Sequence, residues 1–138
     1  MTPPMNPRTE DGAQLGVAAV IRRGGRFLLI RRSAGVAAPL KWAFPGGGIH
    51  PGETEQQALV REMHEELGVS VRPLRRVWSW QRPEPPLLLH CWEVCLLDGQ
   101  MRLNPAEVAE AAWLTPAEIR RLPDLLPSCL DLLGVLGV

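Results

Sequence analysis

Short apolar or alternating runs, separated by turn residues, make up most of this chain. Residues 15–21 and 26–32 are two such runs, and Arg22-Arg23-Gly24-Gly25 between them predicts that they form a β-hairpin. Residues 41–44 predict a short strand that ends at Pro45 and the glycines after it. Further strands are predicted at residues 71–81, 87–97, 101–103 and 111–114, with Asp98-Gly99 as a hairpin turn.

Three segments are predicted to be helical. Residues 55–67 contain no proline or glycine, Thr54-x-x-Gln57 is a capping box, and Gly68 follows the last helical residue. Thr115-Pro116-x-Glu118 is a second capping box that predicts a helix of about two turns. Residues 124–136 predict a final amphipathic helix. Because strands outnumber helices and include hairpins, we predict an α/β fold with a mixed sheet flanked by helices.

Length and composition limit the class of protein. The 138 residues suffice for one domain, which we place at residues 13–138 after a proline-rich, flexible leader at residues 1–12. Fifteen basic residues balance fifteen acidic ones, so no overall field favours nucleic acid or a membrane. No apolar stretch is long enough to span a bilayer, and no signal pattern opens the chain. The three cysteines form neither an even disulfide set nor a zinc spacing, which indicates a reduced, cytoplasmic protein.

The first helix carries three glutamates on one face. At about 100° per residue, Glu62, Glu65 and Glu66 fall within an arc of roughly 100°. The adjacent arc is apolar and consists of Leu59, Val60, Met63 and Leu67. Carboxylates this close repel one another unless a cation neutralises them, and Mg²⁺ or Mn²⁺ prefers such oxygen ligands. By itself an acidic stripe is more often a solvated surface than a metal site.

A glycine-rich segment directly before this helix changes that balance. Gly46, Gly47 and Gly48 let backbone N–H groups approach a ligand closely, and such a segment before a helix N-terminus can form a phosphate cradle. Glu53 before the helix and Arg61 on its second turn can form an ion pair that ties loop to helix.

Residues 47–69 resemble the Nudix box. The match covers its nine defined positions over 23 residues, which are Gly47, Glu53, Arg61-Glu62-Met63, Glu65-Glu66 and Gly68-Val69. The resemblance extends over residues 14–122. The lead-in at residues 41–47 and the Arg31-Arg32 pair are most similar to the MutT-like branch of that family.

The resemblance implies a Nudix-type α/β/α sandwich with the mixed sheet between helices. It also implies Mg²⁺-dependent (or Mn²⁺-dependent) hydrolysis of the diphosphate linkage in a nucleoside diphosphate joined to another group X. The implied metal ligands are the carboxylates of Glu62, Glu65 and Glu66 and the carbonyl of Gly47. Glu53 would pair with Arg61 or help to hold the metal.

Three further roles stay open, the first two of them suggested by the resemblance. The general base is Glu65, Glu66 or Glu107, the last of which matches a downstream loop glutamate of MutT-like proteins. Arg32 matches a position that contacts phosphate there, a task that suits a guanidinium. A base could stack on Trp80, which shares a strand face with Trp78, although aromatic side chains more often pack in the core.

The preferred interpretation is hydrolysis of a nucleoside triphosphate, ordinary or modified, to the monophosphate and pyrophosphate. No asparagine follows Trp113, which argues against the recognition of oxidised guanine that some MutT-like enzymes achieve with such a residue. ADP-ribose or nucleotide-sugar hydrolysis is the alternative within the class. A non-catalytic nucleotide-sensing module is the alternative outside it, and the complete set of box carboxylates argues against that. We expect a small-molecule nucleotide as partner, without nucleic acid or membrane, and a homodimer is left open.

Overall fold

The computed structural model describes residues 13–97 and 100–138. The predicted leader and the predicted Asp98-Gly99 turn lie outside these residues. The strands are β1 (Gln14–Val20), β2 (Arg22–Arg23), β3 (Arg26–Arg32), β4 (Trp42–Ala43), β5 (Gly46–Gly48), β6 (Val71–Pro83), β7 (Pro86–Leu96) and β8 (Val108–Leu114). The helices are α1 (Glu55–Leu67), α2 (Pro116–Arg120) and α3 (Ser128–Leu136). No helix among the described residues is long and apolar enough to cross a membrane.

The strands form two sheets, of which the first is mixed. Its order is β5-β1-β7-β6, with β1 parallel to β7 and antiparallel to β5, and with β6 antiparallel to β7. In the second sheet β3 pairs with β8 and also with the short strands β2 and β4, in each case antiparallel. The predicted mixed sheet with flanking helices is therefore confirmed.

Two apolar cores lie on opposite faces of the sheets. One joins alternate residues of β1 and β3, such as Val17 and Leu28, to Leu59, Met63 and Leu67 of α1. The other joins the intervening residues of these strands to the opposite helices, through Ala18, Phe27, Ile119, Cys129 and Leu133. Because both faces of β1 and β3 are buried, their sequences are continuous apolar runs rather than alternating ones.

The predicted hairpin is much shorter than the sequence suggested. On the side of this hairpin, the two-residue strand β2 pairs with the start of β3, across a turn in which Gly24 and Gly25 have positive φ. The strand before it, β1, does not continue the ladder because it pairs with β5 and β7 in the other sheet. The prediction of strands at residues 15–21 and 26–32 is confirmed, but their pairing was wrong.

Two other predicted elements differ, each because the backbone finds partners elsewhere. Residues 101–103 are not a strand: the N–H groups of Arg102 and Asn104 instead donate to the carbonyls of Leu67 and Glu66. These are carbonyls that the end of α1 leaves without helical partners. The last helix begins at Ser128 rather than at residue 124, because residues 124–126 bond to Trp42 on β4.

Candidate active site

Local sequence determines where α1 begins and ends. The Thr54 side chain accepts from the backbone N–H of Gln57, whose side chain accepts in return from the N–H of Thr54, and Gly68 ends the helix in the left-handed conformation. The predicted and observed bounds are the same. Of the apolar arc, Val60 is 44% exposed, so that part of the prediction was wrong.

Two of the three stripe glutamates are buried. Glu62 and Glu66 are 7% and 5% exposed, whereas Glu65 lies at the helix surface. Carboxylates are rarely buried without a partner. On this edge of the core, α1 holds two carboxyl groups in a rigid position.

A third carboxylate joins them from the loop before β8. The N–H of Glu107 donates to the Asn104 carbonyl, and Ser33, which is buried, donates its hydroxyl to the Ala106 carbonyl. Carboxylate oxygens of Glu62, Glu66 and Glu107 consequently lie within 4.8 Å of one another. We refer to these three residues as the carboxylate cluster.

The electrostatics of the cluster favour a cation. Burial, and then the nearby charges of Glu62 and Glu107, raise the pKa of Glu66 to about 9, against a smaller opposing effect of Arg32. Burial likewise raises the pKa of Glu62, although Arg61 opposes the shift. Among the described residues, the buried Oε2 of Glu66 has no hydrogen-bond partner. An orphaned buried oxygen among like charges fits a hard divalent cation such as Mg²⁺ or Mn²⁺.

Arg61 is the hub of the surrounding ion pairs. Its guanidinium contacts Glu53 at 2.7 and 3.0 Å, Glu62 at 2.9 Å and Glu65 at 3.0 Å, and donates to the Gly48 carbonyl at 2.8 Å. The hydrogen bond from Arg61 holds the pKa of Glu53 below its usual value. The structure therefore contains the predicted Glu53–Arg61 pair, and Glu65 lies against Arg61 rather than in the cluster.

The predicted glycine loop is a short strand, β5, in close contact with its neighbours. A Cβ on Gly46 would lie 2.0 Å from the Val17 carbonyl oxygen, and a Cβ on Gly47 would lie 2.4 Å from the Glu62 carboxylate carbon. Side chains at these positions would displace β1 or the cluster. The glycines thus serve close packing rather than an unusual φ.

A cleft of about 530 Å³ opens on the other face of β5. Trp78 and Trp80 of β6 line it together with Phe44 and Arg32. Further lining residues are Leu87, Leu89, Cys91, Leu126, Cys129 and Leu132. Trp92 lies on the opposite face, where its indole N–H donates to Glu55 at 2.8 Å. Large apolar clefts with few polar groups are typical ligand sites.

Several lining residues were not predicted as site residues. The period-two spacing with Trp80 was a signal for Trp78, which shares its face. No signal pointed to Phe44, Arg82 or Ser128, because each reaches the cleft only when distant segments pack together. Arg82 donates to the Pro85 carbonyl at 2.8 Å at the end of the β6–β7 hairpin.

Comparison with known proteins identifies the family. The NUDIX domain model matches residues 12–130. The chain belongs to the Nudix family. The Nudix box thus spans β5, the following loop and α1, and it contributes Glu62 and Glu66 to the carboxylate cluster.

Two curated Nudix relatives illustrate the similarity. A CTP pyrophosphohydrolase of Escherichia coli (strain K12) is 37% identical over 119 residues, which cover 85% of this chain and 86% of that protein. An RNA pyrophosphohydrolase of Yersinia pestis (strain Pestoides F) is 39% identical over 120 residues, which cover 78% of this chain and 66% of that protein.

Solved structures support the same fold. The E. coli ORF135 protein superimposes with a TM-score of 0.73 at 32% identity, covering 91% of this chain and 89% of that one. The MutT protein from Methanosarcina mazei Go1 superimposes with a TM-score of 0.77 at 25% identity, covering 88% and 91%. The Nudix α/β/α sandwich implied by the box is thereby confirmed.

Proposed function

We propose that this Nudix hydrolase cleaves nucleoside triphosphates, ordinary or modified, into the monophosphate and pyrophosphate in a reaction that requires Mg²⁺ or Mn²⁺. One observation carries the proposal. The carboxylate cluster and the aromatic cleft lie on either side of β5, which Gly46, Gly47 and Gly48 form without side chains. A nucleotide with its base in the cleft would bring its phosphates to the acidic side.

The chain's own residues would divide the work between them. Glu62 and Glu66 would hold the cation, and Glu65, Glu107 and the Gly47 carbonyl are candidates for a further ligand. When bound, the cation would neutralise charge on the pyrophosphate oxygens and lower the pKa of a water molecule. A carboxylate outside the inner ligand set would accept the proton of that water, and Glu65 and Glu107 are the candidates.

The positions of these carboxylates depend on the basic residues around them. Arg61 holds Glu53, Glu62 and Glu65 through four hydrogen bonds of 3.0 Å or less, which limits the directions that these side chains can adopt. Arg32 lines the cleft near Glu66 and would contact a phosphate. Its Nε already donates to the Ala37 carbonyl at 2.6 Å, which fixes the guanidinium.

The relatives favour the triphosphate over the alternatives. The E. coli relative is named CTP pyrophosphohydrolase, and its 37% identity over most of both chains supports a triphosphate substrate for this protein. The structures of a UDP-X diphosphatase and an ADP-ribose pyrophosphatase are each only 23% identical, so they support the fold and not a substrate. The RNA pyrophosphohydrolases make a 5′-triphosphate RNA a necessary comparison substrate.

A substrate panel with product identification tests the proposal. Purified protein with Mg²⁺ would be incubated with ordinary and modified nucleoside triphosphates, ADP-ribose, UDP-sugars and a 5′-triphosphate oligonucleotide. We expect monophosphate and pyrophosphate from a triphosphate, a higher kcat/KM for it than for the other classes, and no turnover with a chelator. Turnover that survives the chelator would refute the metal requirement, and preference for ADP-ribose or RNA would refute the substrate class.

The remaining expectations concern partners and location. We propose a small-molecule nucleotide as the partner, without nucleic acid or membrane, in the cytoplasm. Light scattering on the purified chain tests the homodimer that the sequence left open.

A further inference from the structure

Glu55 connects the first turn of α1 to the two strands that form the cleft wall. Its carboxylate accepts a hydrogen bond from Trp92 Nε1 at 2.8 Å and from Arg76 Nε at 3.0 Å, and its second oxygen pairs with Arg76 Nη2. The side chain of Glu55 is only 20% exposed. Burial opposes its ionisation, but the hydrogen bonds from Arg76 and Trp92 keep the pKa of Glu55 below its usual value.

These contacts lie at an irregularity in the strand pair. Arg76 is opposite Trp92 and Trp78 is opposite Cys91, so the register shifts between Arg76 and Trp78. Residues two apart in a regular strand share a face. Here Arg76 contacts α1 on one face, whereas Trp78 lines the cleft on the other.

The extra residue, Val77, accounts for this change of face. A β-bulge places two residues opposite one and redirects the side chains that follow it. The direction of Trp78, and of Trp80 two residues later, therefore depends on the bulge. Glu55 contacts Arg76, directly before the bulge, and its cross-strand partner Trp92.

We propose that Glu55 is a positioning residue for the nucleoside-binding wall. By holding Arg76 and Trp92 it fixes the bulge that directs Trp78 into the cleft. The catalytic helix would then have two tasks, because it supplies Glu62 and Glu66 and also fixes the wall behind the base. This inference rests on the proposed function, since it requires a nucleoside in the cleft.

The test compares two variants that weaken the contact in different ways. Glu55→Gln removes the charge that pairs with Arg76, and Trp92→Phe removes the indole N–H while leaving a smaller aromatic ring. Glu93→Gln is the matched control: it removes an ion pair with Arg75 at 3.0 Å between the same two strands, where Arg75 is 73% exposed. Each protein is first checked by circular dichroism and thermal unfolding.

We expect a change in binding rather than in chemistry. The KM for the nucleoside triphosphate and the Kd of the monophosphate product should rise about three- to tenfold in both variants, since a misdirected aromatic loses part of its stacking. The kcat and the Mn²⁺ affinity should stay within about twofold of wild type, a split that general loss of fold would not give. The Glu93→Gln control should match wild type.

Two failures are distinguishable. If wild type does not hydrolyse triphosphates, the proposed function fails. If wild type does so but both variants bind the nucleotide as well as wild type, or lose kcat with KM unchanged, the positioning role is overturned. If Glu55→Gln does not fold, Trp92→Phe, which keeps the ring in the core, decides the question.

Discussion

The carboxylate cluster and the cleft adjoin at β5, yet they draw on the chain very differently. Two of the three cluster residues lie one helical turn apart on α1, and Glu107 comes from one short loop. The cleft takes its lining from strands of both sheets and from α3, so that residues more than 100 positions apart meet in it. The residues that would break a diphosphate bond thus come mainly from one helix, whereas those that would recognise the substrate molecule come from the whole fold.

The largest effect should come from the cluster alone. Glu66→Gln keeps the shape of the side chain and removes its charge, so we expect turnover to fall on the order of 10³-fold or more, as for the loss of a principal electrostatic group. Binding of the monophosphate, measured by tryptophan fluorescence, should persist because the cleft is unchanged. Normal turnover in this variant would remove Glu66 from the metal site.

A change in β5 tests the junction of the two regions. Gly47→Ala would place a Cβ 2.4 Å from the carboxylate carbon of Glu62. We expect Mn²⁺ affinity, measured by titration calorimetry, to fall about 10- to 100-fold, as when support for a metal ligand is lost. Gly35→Ala is the control, since a Cβ there meets no atom within 4 Å. Equal Mn²⁺ affinities in the two variants would show that the close contact between Gly47 and Glu62 does not matter for metal binding.

A substitution in the cleft should weaken substrate binding and leave metal binding unchanged. Trp80→Ala removes a stacking surface, so the KM for the triphosphate should rise about tenfold. Mn²⁺ affinity should not change, because Trp80 lies in the cleft and not among the carboxylates. If Trp80→Ala lost metal binding but kept its KM, the assignment of substrate binding to the cleft and metal binding to the cluster would be contradicted.

The smallest effect concerns stability without metal. The pKa of Glu66 is raised from 4.5 to about 9, so the folded protein retains a proton that the unfolded chain releases. This group's contribution to stability is complete below pH 4.5 and is lost as pH rises towards 9. In a chelator, the free energy of unfolding should therefore fall as pH rises over this range.

Glu66→Gln provides the comparison for that experiment, because it removes the titrating group. In denaturant unfolding, we expect the free energy of unfolding to depend less on pH in the variant than in the wild type. Addition of Mn²⁺ should restore the stability that the wild-type protein loses at high pH. Parallel profiles for the two proteins would show that Glu66 is not the group responsible.

The sequence by itself determined α1, the Nudix box and the fold class. These depend on interactions between residues a few positions apart: the Thr54–Gln57 capping box, Gly68 after the last turn and the spacing of the glutamates. The Glu53–Arg61 pair, eight positions apart, was equally accessible. Such features follow from helical geometry, which any chain with this pattern adopts.

Tertiary structure decided what depends on long-range pairing. It separated β1 from β3, because the edges of β1 pair with β5 and β7 in the other sheet. It set Glu107 beside Glu62 and Glu66, because Arg102 and Asn104 bond to the end of α1 and the Glu107 carbonyl accepts from the N–H of Ser33. It also turned Trp78 into the cleft through a bulge that no spacing of residues encodes. Each of these depends on competition between distant backbone partners, which only the assembled fold resolves.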